Sequence, residues 1–217
     1  MRWCANAGCD HVGGTVFTVS TEELKHVRSE SGEILTEPFL HVCKGLLCLL
    51  DDFGPSLAFV KTDVGGNIEK LESKYSSNPK EFGCLSCMVN LEVKSKTAKN
   101  PSSCTVALLW LTRSMDFLVQ LFRNLVAHPE WSTSHVCRDS YKKTLRKWHG
   151  WVATSAFLFG IKLVPERRKV MEVVGGAGDL NDNMKTFCNS FAPVLVDIHK
   201  HLVISDVSSS TFVLLFA

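Results

Sequence analysis

The sequence predicts an all-α protein built as a single domain. Apolar residues recur at intervals of three and four along most of the 217-residue chain, as one buried face of a helix requires. Alternation with a period of two is confined to residues 15–19, so a strand is expected there at most. The chain is long enough to bury a sizeable core and contains no internal repeat.

Helix boundaries follow from the turn residues around the apolar stripes. Pro55 lies just before the stripe of residues 57–75, and Pro79 lies just after it. Ser102 or Ser103 is expected to cap the next long helix, and Pro193 is expected to kink a later one or offset its start. The predicted helices cover residues 37–50, 57–75, 80–96, 102–125, 135–159, 165–174 and 187–202.

The chain ends differ in character from the segment between them. Residues 1–14 are predicted to be a loose leader, residues 15–204 the folded domain, and residues 205–217 a divergent tail. A glycine-rich stretch at residues 175–178 follows no strand, so it is interpreted as a linker and not as a dinucleotide-binding loop.

Charge and composition exclude several classes of protein. Lys and Arg exceed Asp and Glu by only two, which predicts no nucleic-acid partner. The N-terminus lacks the apolar core of a secretory signal, and no stretch of about 18–20 apolar residues predicts a membrane span. Residues 150–164 come nearest, but they are too few and include Lys162. These features favour a soluble protein of the cytosol.

Nine cysteines are scattered along the chain, several of them within apolar runs. Cys84 and Cys87 form the one tight pair, and no second pair or spaced histidines complete a set of four zinc ligands. The cysteines are therefore predicted to be buried, reduced thiols, and the chain is predicted to hold no metal and no cofactor.

A polar stripe borders the buried face of the predicted helix at residues 57–75. Asp63, Asn67 and Lys70 stand four and three residues apart, which places them on one side of a helix. One interpretation is a solvated helix edge with a weak network of its own. The other is a cluster of donors and acceptors that binds a ligand with several hydroxyl groups.

Trp110 and His149 each allow two interpretations as well. Trp110 is either a core tryptophan or a flat apolar platform for a sugar ring, and Arg113 one turn later is either a salt-bridge residue or a headgroup donor. His149 falls on an apolar face, where it is either a satisfied core histidine or a ligand contact through its neutral imidazole. The sequence has no nucleophile pattern and no zinc-protease motif. The adjacent carboxylates Asp51–Asp52 and Glu22–Glu23 would point apart on helices, so no catalytic residue is predicted.

A basic and aromatic segment follows residue 137. Its lysines and arginines form either a solvated face or a surface that docks transiently on membranes, with Trp148 and Trp151 at the level of the lipid headgroups. The positive residues of the segment are Arg138, Lys142, Lys143, Arg146 and Lys147.

Three phrases in this order resemble the glycolipid transfer protein family, and the likeness is to its plant-type members. They are KTDVGGNIEKLESKY at residues 61–75, ALLWLTRSMDFLVQLF at 107–122 and DSYKKTLRKWHGW at 139–151. The resemblance covers residues 15–202 and implies a two-layer, all-α fold without a disulfide. It also implies a monomer that carries one sphingolipid between membranes and performs no chemical step.

The resemblance assigns roles to the candidate residues. Asp63, Asn67 and Lys70 would contact the sugar and the ceramide amide, Trp110 would stack on the sugar, and His149 would bond the ceramide carbonyl. In addition, Phe157 would line the tunnel for the hydrocarbon chains, and Trp151 would dock on the membrane. The residues themselves, apart from the resemblance, add Trp148 as a second candidate for docking and Arg113 as a candidate headgroup contact.

The same resemblance bears on the choice of lipid. Relatives similar to ceramide-1-phosphate carriers have Lys in place of the Asn and Arg in place of the Trp. This chain keeps Asn67 and Trp110, so a neutral glycosphingolipid such as glucosyl- or galactosylceramide is expected. A ceramide-1-phosphate carrier remains an alternative because of Lys70 and Arg113. A glycolipid sensor that acts through a protein partner is another.

Overall fold

A computed structural model describes residues 15–49, 58–174 and 179–205, without the side chains of residues 58, 59 and 173. These residues form helices and no strand, which confirms the all-α prediction. In chain order the helices are α1 (Val16–Lys25), α2 (Thr36–Leu49), α3 (Ala58–Ser77), α4 (Leu85–Lys94), α5 (Cys104–Ala127), α6 (Thr133–Lys143), α7 (Trp151–Ile161), α8 (Arg167–Val174) and α9 (Leu180–Ile204).

Some predictions fall outside the described residues. These are the leader at residues 1–14, the helix start beside Pro55, the glycine-rich linker at 175–178 and the tail beyond Ser205. Pro193 does not offset the start of the last helix, because α9 runs through this residue from Leu180 to Ile204.

The core is built around α5, which packs against α9, α3, α6 and α4. Ser103 caps this helix by accepting a hydrogen bond from the backbone N–H of Val106, as the sequence predicts. Three phenylalanines from α1, α5 and α9 form the aromatic centre: Phe17 lies edge-on to Phe122, with ring centroids 4.9 Å apart, and 5.6 Å from Phe187. The helices therefore share one core, which fits the prediction of a single domain.

Helix α5 corrects the expectation that no segment is long and apolar enough to span a bilayer. Among the described residues, Cys104–Ala127 does qualify by length and composition. The sequence argument missed it because Arg113 and Asp116 interrupt its apolar run. However, 83% of its most apolar window is buried inside the protein. It is the central core helix of this fold.

The strand expected at residues 15–19 is wrong, because these residues begin α1. The Thr15 hydroxyl accepts a hydrogen bond from the Thr18 backbone N–H and so caps the helix. Phe17, Ser20 and Leu24 are buried at helical spacing. A five-residue window that alternates polar and apolar side chains is too short to distinguish the two periods.

Two predicted helices also need correction. The helix predicted at 135–159 is two helices, because α6 ends before Thr144 and α7 begins only after Gly150, which has an extended backbone at the N-cap. Similarly, α4 begins at Leu85 and not at residue 80, since residues 78–83 form turns closed by bonds from Glu81 and Phe82 to the Asn78 carbonyl. The first correction places His149 in the segment between helices.

Cys84 and Cys87 contradict the prediction of reduced thiols and of a fold without a disulfide, because they are bonded to each other. Cys43, Cys104, Cys137 and Cys188 are buried thiols outside any disulfide, as expected. Burial raises the pKa of Cys137 to about 12 and that of Cys188 to about 11, so both are protonated thiols at neutral pH.

Candidate functional site

The register between α3 and α5 brings two groups of predicted site residues to the same level. The charges of Lys74 and Lys70 act on Cys104 at the start of α5, so the C-terminal half of α3 lies beside that start. Val60, near the other end of α3, lines a cavity with residues 117–125 of α5. The two helices are therefore antiparallel.

This register places Asp63 and Asn67 opposite the middle of α5. Residues seven apart on a helix are about 10 Å apart along its axis, so moving from Lys70 to Asp63 corresponds to moving from Cys104 to about residue 111. Trp110 and Arg113 lie at that level. The polar stripe of α3 and the pair Trp110 and Arg113 of α5 therefore lie at one level along two helices that pack against each other.

The Asp63 carboxylate of the polar stripe is available to accept a hydrogen bond from a ligand. Asp63 is half-buried, and burial raises the pKa of its carboxyl group. Within the described ranges its carboxylate accepts no hydrogen bond, while the Asn67 side-chain amide donates to the Asp63 backbone carbonyl at 2.9 Å. A desolvated carboxylate of this kind favours a donor such as an amide N–H or a sugar hydroxyl.

Arg113 lies between two indole rings. Its guanidinium carbon is 3.7 Å from the ring centroid of Trp148 and 4.9 Å from that of Trp110. The residue is only 3% exposed, and burial lowers its pKa to about 10 although Asp116 opposes the shift. Arg113 therefore remains charged at neutral pH, with aromatic faces covering its guanidinium group.

His149 is held beside the same tryptophan by a hydrogen-bonded tyrosine. Its ring centroid is 5.7 Å from that of Trp110, and its Nδ1 is 3.2 Å from the Tyr141 hydroxyl. The Tyr141 hydroxyl also lies 3.2 Å from Oγ1 of Thr154 on α7. Burial, together with the charges of Arg113 and Arg146, lowers the pKa of His149 to about 4. The imidazole is therefore neutral at pH 7, with one donor and one acceptor nitrogen.

The depressed pKa of His149 predicts a loss of stability in acid. The unfolded chain takes up a proton near pH 6.5 but the folded site only near pH 4, so stability falls as the pH drops through this window. Replacing His149 with Gln should remove about 2 kcal/mol of the wild-type loss between pH 7 and pH 5. Urea unfolding of both proteins at the two pH values measures this difference, and equal losses would contradict the shifted pKa.

A narrow apolar cavity lies beyond Tyr141. Phe157 joins the two regions: it stacks on Tyr141 at 4.0 Å and meets Phe117 edge-on at 5.4 Å. Thr133 supplies the one hydroxyl of the lining. The other lining residues are Leu46, Leu49, Val60, Leu118, Leu121, Phe122, Leu125, Val136, Cys137, Ile161, Val164, Val170 and Val174.

An exposed apolar face lies on α7 and just after it. Trp151 is 82% exposed and Phe159 is 64% exposed, and Leu163 is also exposed. The basic residues Lys142, Lys143, Arg146 and Lys147 before α7 are exposed as well. Trp148, in contrast, is half-buried against Arg113. Of the two tryptophans predicted to dock on a membrane, Trp151 is therefore the one presented to solvent.

Tyr141 was missed by the sequence analysis although it touches both His149 and Phe157. A helix spanning residues 135–159 would have separated Tyr141 from His149 by more than two turns. The break at residues 144–150 folds the chain back, so that the two side chains meet. The signal was Gly150, which is a weak helix former and a common start of a new helix.

Comparison with known proteins decides the family. The family model described as glycolipid transfer protein matches residues 34–176. Glycolipid transfer protein 1 of Arabidopsis thaliana is 54% identical over 189 residues, which are 87% of this chain and 94% of that protein. The chain belongs to the glycolipid transfer protein family. Members of this family are lipid transfer proteins and not enzymes, which confirms that expectation.

Solved structures agree with this assignment. A structure described as showing how FAPP2 selects simple glycosphingolipids using the GLTP-fold aligns with a TM-score of 0.84 and 26% identity, over 93% of this chain and all of that one. Human ceramide-1-phosphate transfer protein in complex with 12:0 ceramide-1-phosphate aligns with a TM-score of 0.80 and 22% identity, over 90% of this chain and 99% of that one. The fold prediction is thereby confirmed, and proteins of this fold bind either class of lipid.

Proposed function

We propose that this protein carries a neutral glycosphingolipid, such as glucosyl- or galactosylceramide, between membranes. The observation that supports this most is the continuity of two unlike surfaces. A polar and aromatic cluster adjoins an almost wholly apolar cavity, and Tyr141 and Phe157 join them. A ligand with a sugar at one end and hydrocarbon chains at the other matches this sequence of surfaces.

The headgroup end has complementary groups for a ceramide and its sugar. Asp63 accepts from the ceramide amide and a sugar hydroxyl, and Asn67 and Lys70 bond further hydroxyls. Tyr141 donates its hydroxyl hydrogen to Oγ1 of Thr154, so its oxygen accepts from Nδ1–H of His149 in this arrangement. The Nε2 of the neutral imidazole then accepts from a hydroxyl or the amide N–H of the ceramide, whereas a bond to the ceramide carbonyl requires the opposite orientation of the Tyr141 hydroxyl.

Trp110 supplies the apolar face for the sugar. The ring is only 8% exposed, with Arg113 on one side and His149 on another. Stacking of a sugar therefore requires part of this cover to move. Trp148 and His149 lie in the segment between α6 and α7, which is the part of the cover outside regular helix.

Arg113 is the strongest argument for a phosphate headgroup, and its surroundings weaken that argument. Arg113 is only 3% exposed, whereas a phosphate needs its N–H donors to be accessible. Asn67, at the centre of the polar stripe, adds no positive charge. These features favour a neutral sugar over ceramide-1-phosphate, which stays the alternative because proteins of the same fold bind it.

The proposed carrier works from the cytosol as a monomer and touches membranes only transiently. Each CH₂ group of the two chains gains about 0.8 kcal/mol from an apolar environment, so a ceramide leaves a bilayer very slowly without a carrier. The exposed face of Trp151, Phe159 and Leu163, beside the basic residues of α6, supplies a reversible contact with a lipid surface.

A panel of labelled lipids in vesicles tests the proposal. Donor vesicles containing fluorescent glucosylceramide, galactosylceramide, ceramide-1-phosphate or phosphatidylcholine are mixed with unlabelled acceptors and the protein. We expect the two glycolipids to move at least about tenfold faster than the two phospholipids. Faster transfer of ceramide-1-phosphate would contradict the choice of headgroup. Tight glycolipid binding without transfer would instead support a sensor that acts through a protein partner.

A further inference from the structure

The Cys84–Cys87 disulfide lies across the first turn of α4, away from the residues that line the cavity. Cys84 is the N-cap residue, with an extended backbone, and Cys87 lies three residues into the turn. The ring that the bond closes spans only four residues. Because a cross-link stabilises a fold less when the loop it closes is shorter, this bond restrains the unfolded chain very little. The disulfide therefore adds little to the stability of the fold, which argues against a purely structural role.

The N-cap of α4 has no side-chain hydrogen bond. The backbone N–H groups of Leu85 and Cys87 already donate to the carbonyls of Ile34 and Cys84, so a capping side chain here would serve chiefly the N–H of Ser86. The sulfur of Cys84 is bound to Cys87 and does not act as that cap. Breaking the disulfide would release Cys84 as a thiolate at the positive end of the helix. The reduced state thus gains a cap that the oxidised state lacks, and this favours reduction.

The two sulfur atoms differ in access. Cys84 is buried while Cys87 is partly exposed, so an external thiol reaches Cys87 first. The Ser86 hydroxyl lies 3.3 Å from the Cys84 sulfur and 3.1 Å from a carboxylate oxygen of Glu33. It can therefore turn its proton to the sulfur that leaves. The Cys87 sulfur, which is attacked, is therefore accessible, and the Cys84 sulfur, which is released, lies beside a hydrogen-bond donor.

We propose that Cys84 and Cys87 form a thiol–disulfide exchange site whose partner is a dithiol reductant. A reductant thiolate attacks the Cys87 sulfur, the Cys84–Cys87 bond breaks, and its electron pair leaves on Cys84. The second thiolate of the reductant then displaces Cys87 from the mixed disulfide. The reductant ends as a disulfide, and Cys84 and Cys87 together gain two electrons and two protons.

The redox state of both cysteines can be measured on a single peptide. Cleavage after Lys80 and Lys94 releases residues 81–94, which contain these two cysteines and no other. The full chain is equilibrated with glutathione buffers containing EDTA, alkylated and digested. The mass of the peptide is then measured by mass spectrometry. We expect the peptide to carry two alkyl groups in millimolar reduced glutathione and to return to the disulfide in oxidised glutathione. A disulfide that persists in reduced glutathione, or a dithiol that persists in oxidised glutathione, would overturn the proposal.

Single serine variants test the direction of attack. With oxidised glutathione, C84S should accumulate a mixed disulfide at Cys87 at least about tenfold faster than C87S does at Cys84, because Cys87 is the accessible sulfur. The opposite order would overturn the assigned roles. Glu33 lies within 4.8 Å of both sulfurs, so a metal site is the competing explanation. One equivalent of Zn²⁺ that protects both thiols of the reduced chain from alkylation would support that site against exchange. None of these readouts depends on which lipid the protein carries.

Discussion

Replacing Trp110 with Ala is expected to reduce glycolipid transfer to the rate seen without protein. The indole ring offers a flat apolar face at the proposed headgroup site, where it lies beside Arg113 and His149. Losing a stacking surface worth about 2 kcal/mol corresponds to a fall of about 30-fold in affinity. Vesicle-to-vesicle transfer of fluorescent galactosylceramide measures the effect, and circular dichroism should show an unchanged helix content.

The stability of the variant has to be separated from its function. A buried Trp→Ala substitution costs about 3–5 kcal/mol, part of which is the cavity it leaves. Met115→Ala is the matched control, because Met115 is fully buried on the same helix and does not line the cavity. It should lose about 2–5 kcal/mol of stability and still transfer lipid. Full transfer by the Trp110 variant, or equal loss in both variants, would contradict the role given to Trp110.

Trp110→Phe separates the apolar platform from the rest of the indole. A phenyl ring retains a flat apolar face of smaller area, so part of the transfer rate should remain. A variant as inactive as Trp110→Ala would mean that the indole N–H or the full ring area is needed. Transfer rates of the two variants in one assay distinguish these outcomes.

The long helices could be predicted because their signals are local. The stripes at residues 111–125 and 187–202 repeat over several turns, and a period of 3.6 residues is unambiguous at that length. Ser103 is a recognisable cap for the same reason. The short α1 was missed because its alternation of polar and apolar side chains covers a single turn. Periodicity identifies long elements and fails on short ones.

The candidate site depended on contacts between distant parts of the chain. Spacing places Asp63, Asn67 and Lys70 on one face of a helix, but it does not say what lies opposite. The antiparallel register of α3 and α5 supplies that answer, and it follows from packing. The link from Tyr141 to His149 likewise depends on the break between α6 and α7. Such a link is set by tertiary structure, which periodicity does not encode.

The Cys84–Cys87 bond could not be predicted from the sequence for a different reason. A pair of cysteines separated by two intervening residues is compatible with a disulfide, a dithiol or half of a metal site. The choice depends on where the pair falls in a helix, and the sequence analysis placed the start of this helix five residues too early. With α4 beginning at Leu85, the pair lies across the first turn, and its sulfurs come within bonding distance.

Replacing Trp151 with Ala is expected to slow transfer without weakening lipid binding. The side chain is 82% exposed at the start of α7 and contributes little to the core. In contact with a bilayer, the same ring occupies the interface, and its burial is worth about 2 kcal/mol, or about 30-fold in membrane affinity. Transfer between vesicles should therefore fall by about tenfold or more, whereas the free energy of unfolding should change by less than about 0.5 kcal/mol.

The comparison with another exposed apolar residue makes this prediction specific. Leu91 is exposed on α4, which packs on α5, whereas α7 packs on α6. Leu91→Ala should transfer lipid at the wild-type rate, and co-sedimentation with vesicles should be weakened in the Trp151 variant alone. If Trp151→Ala transfers normally, docking must depend on Phe159 and the basic residues of α6. If it loses lipid binding in solution, Trp151 acts on the site itself, since an exposed docking residue has no other route to the ligand.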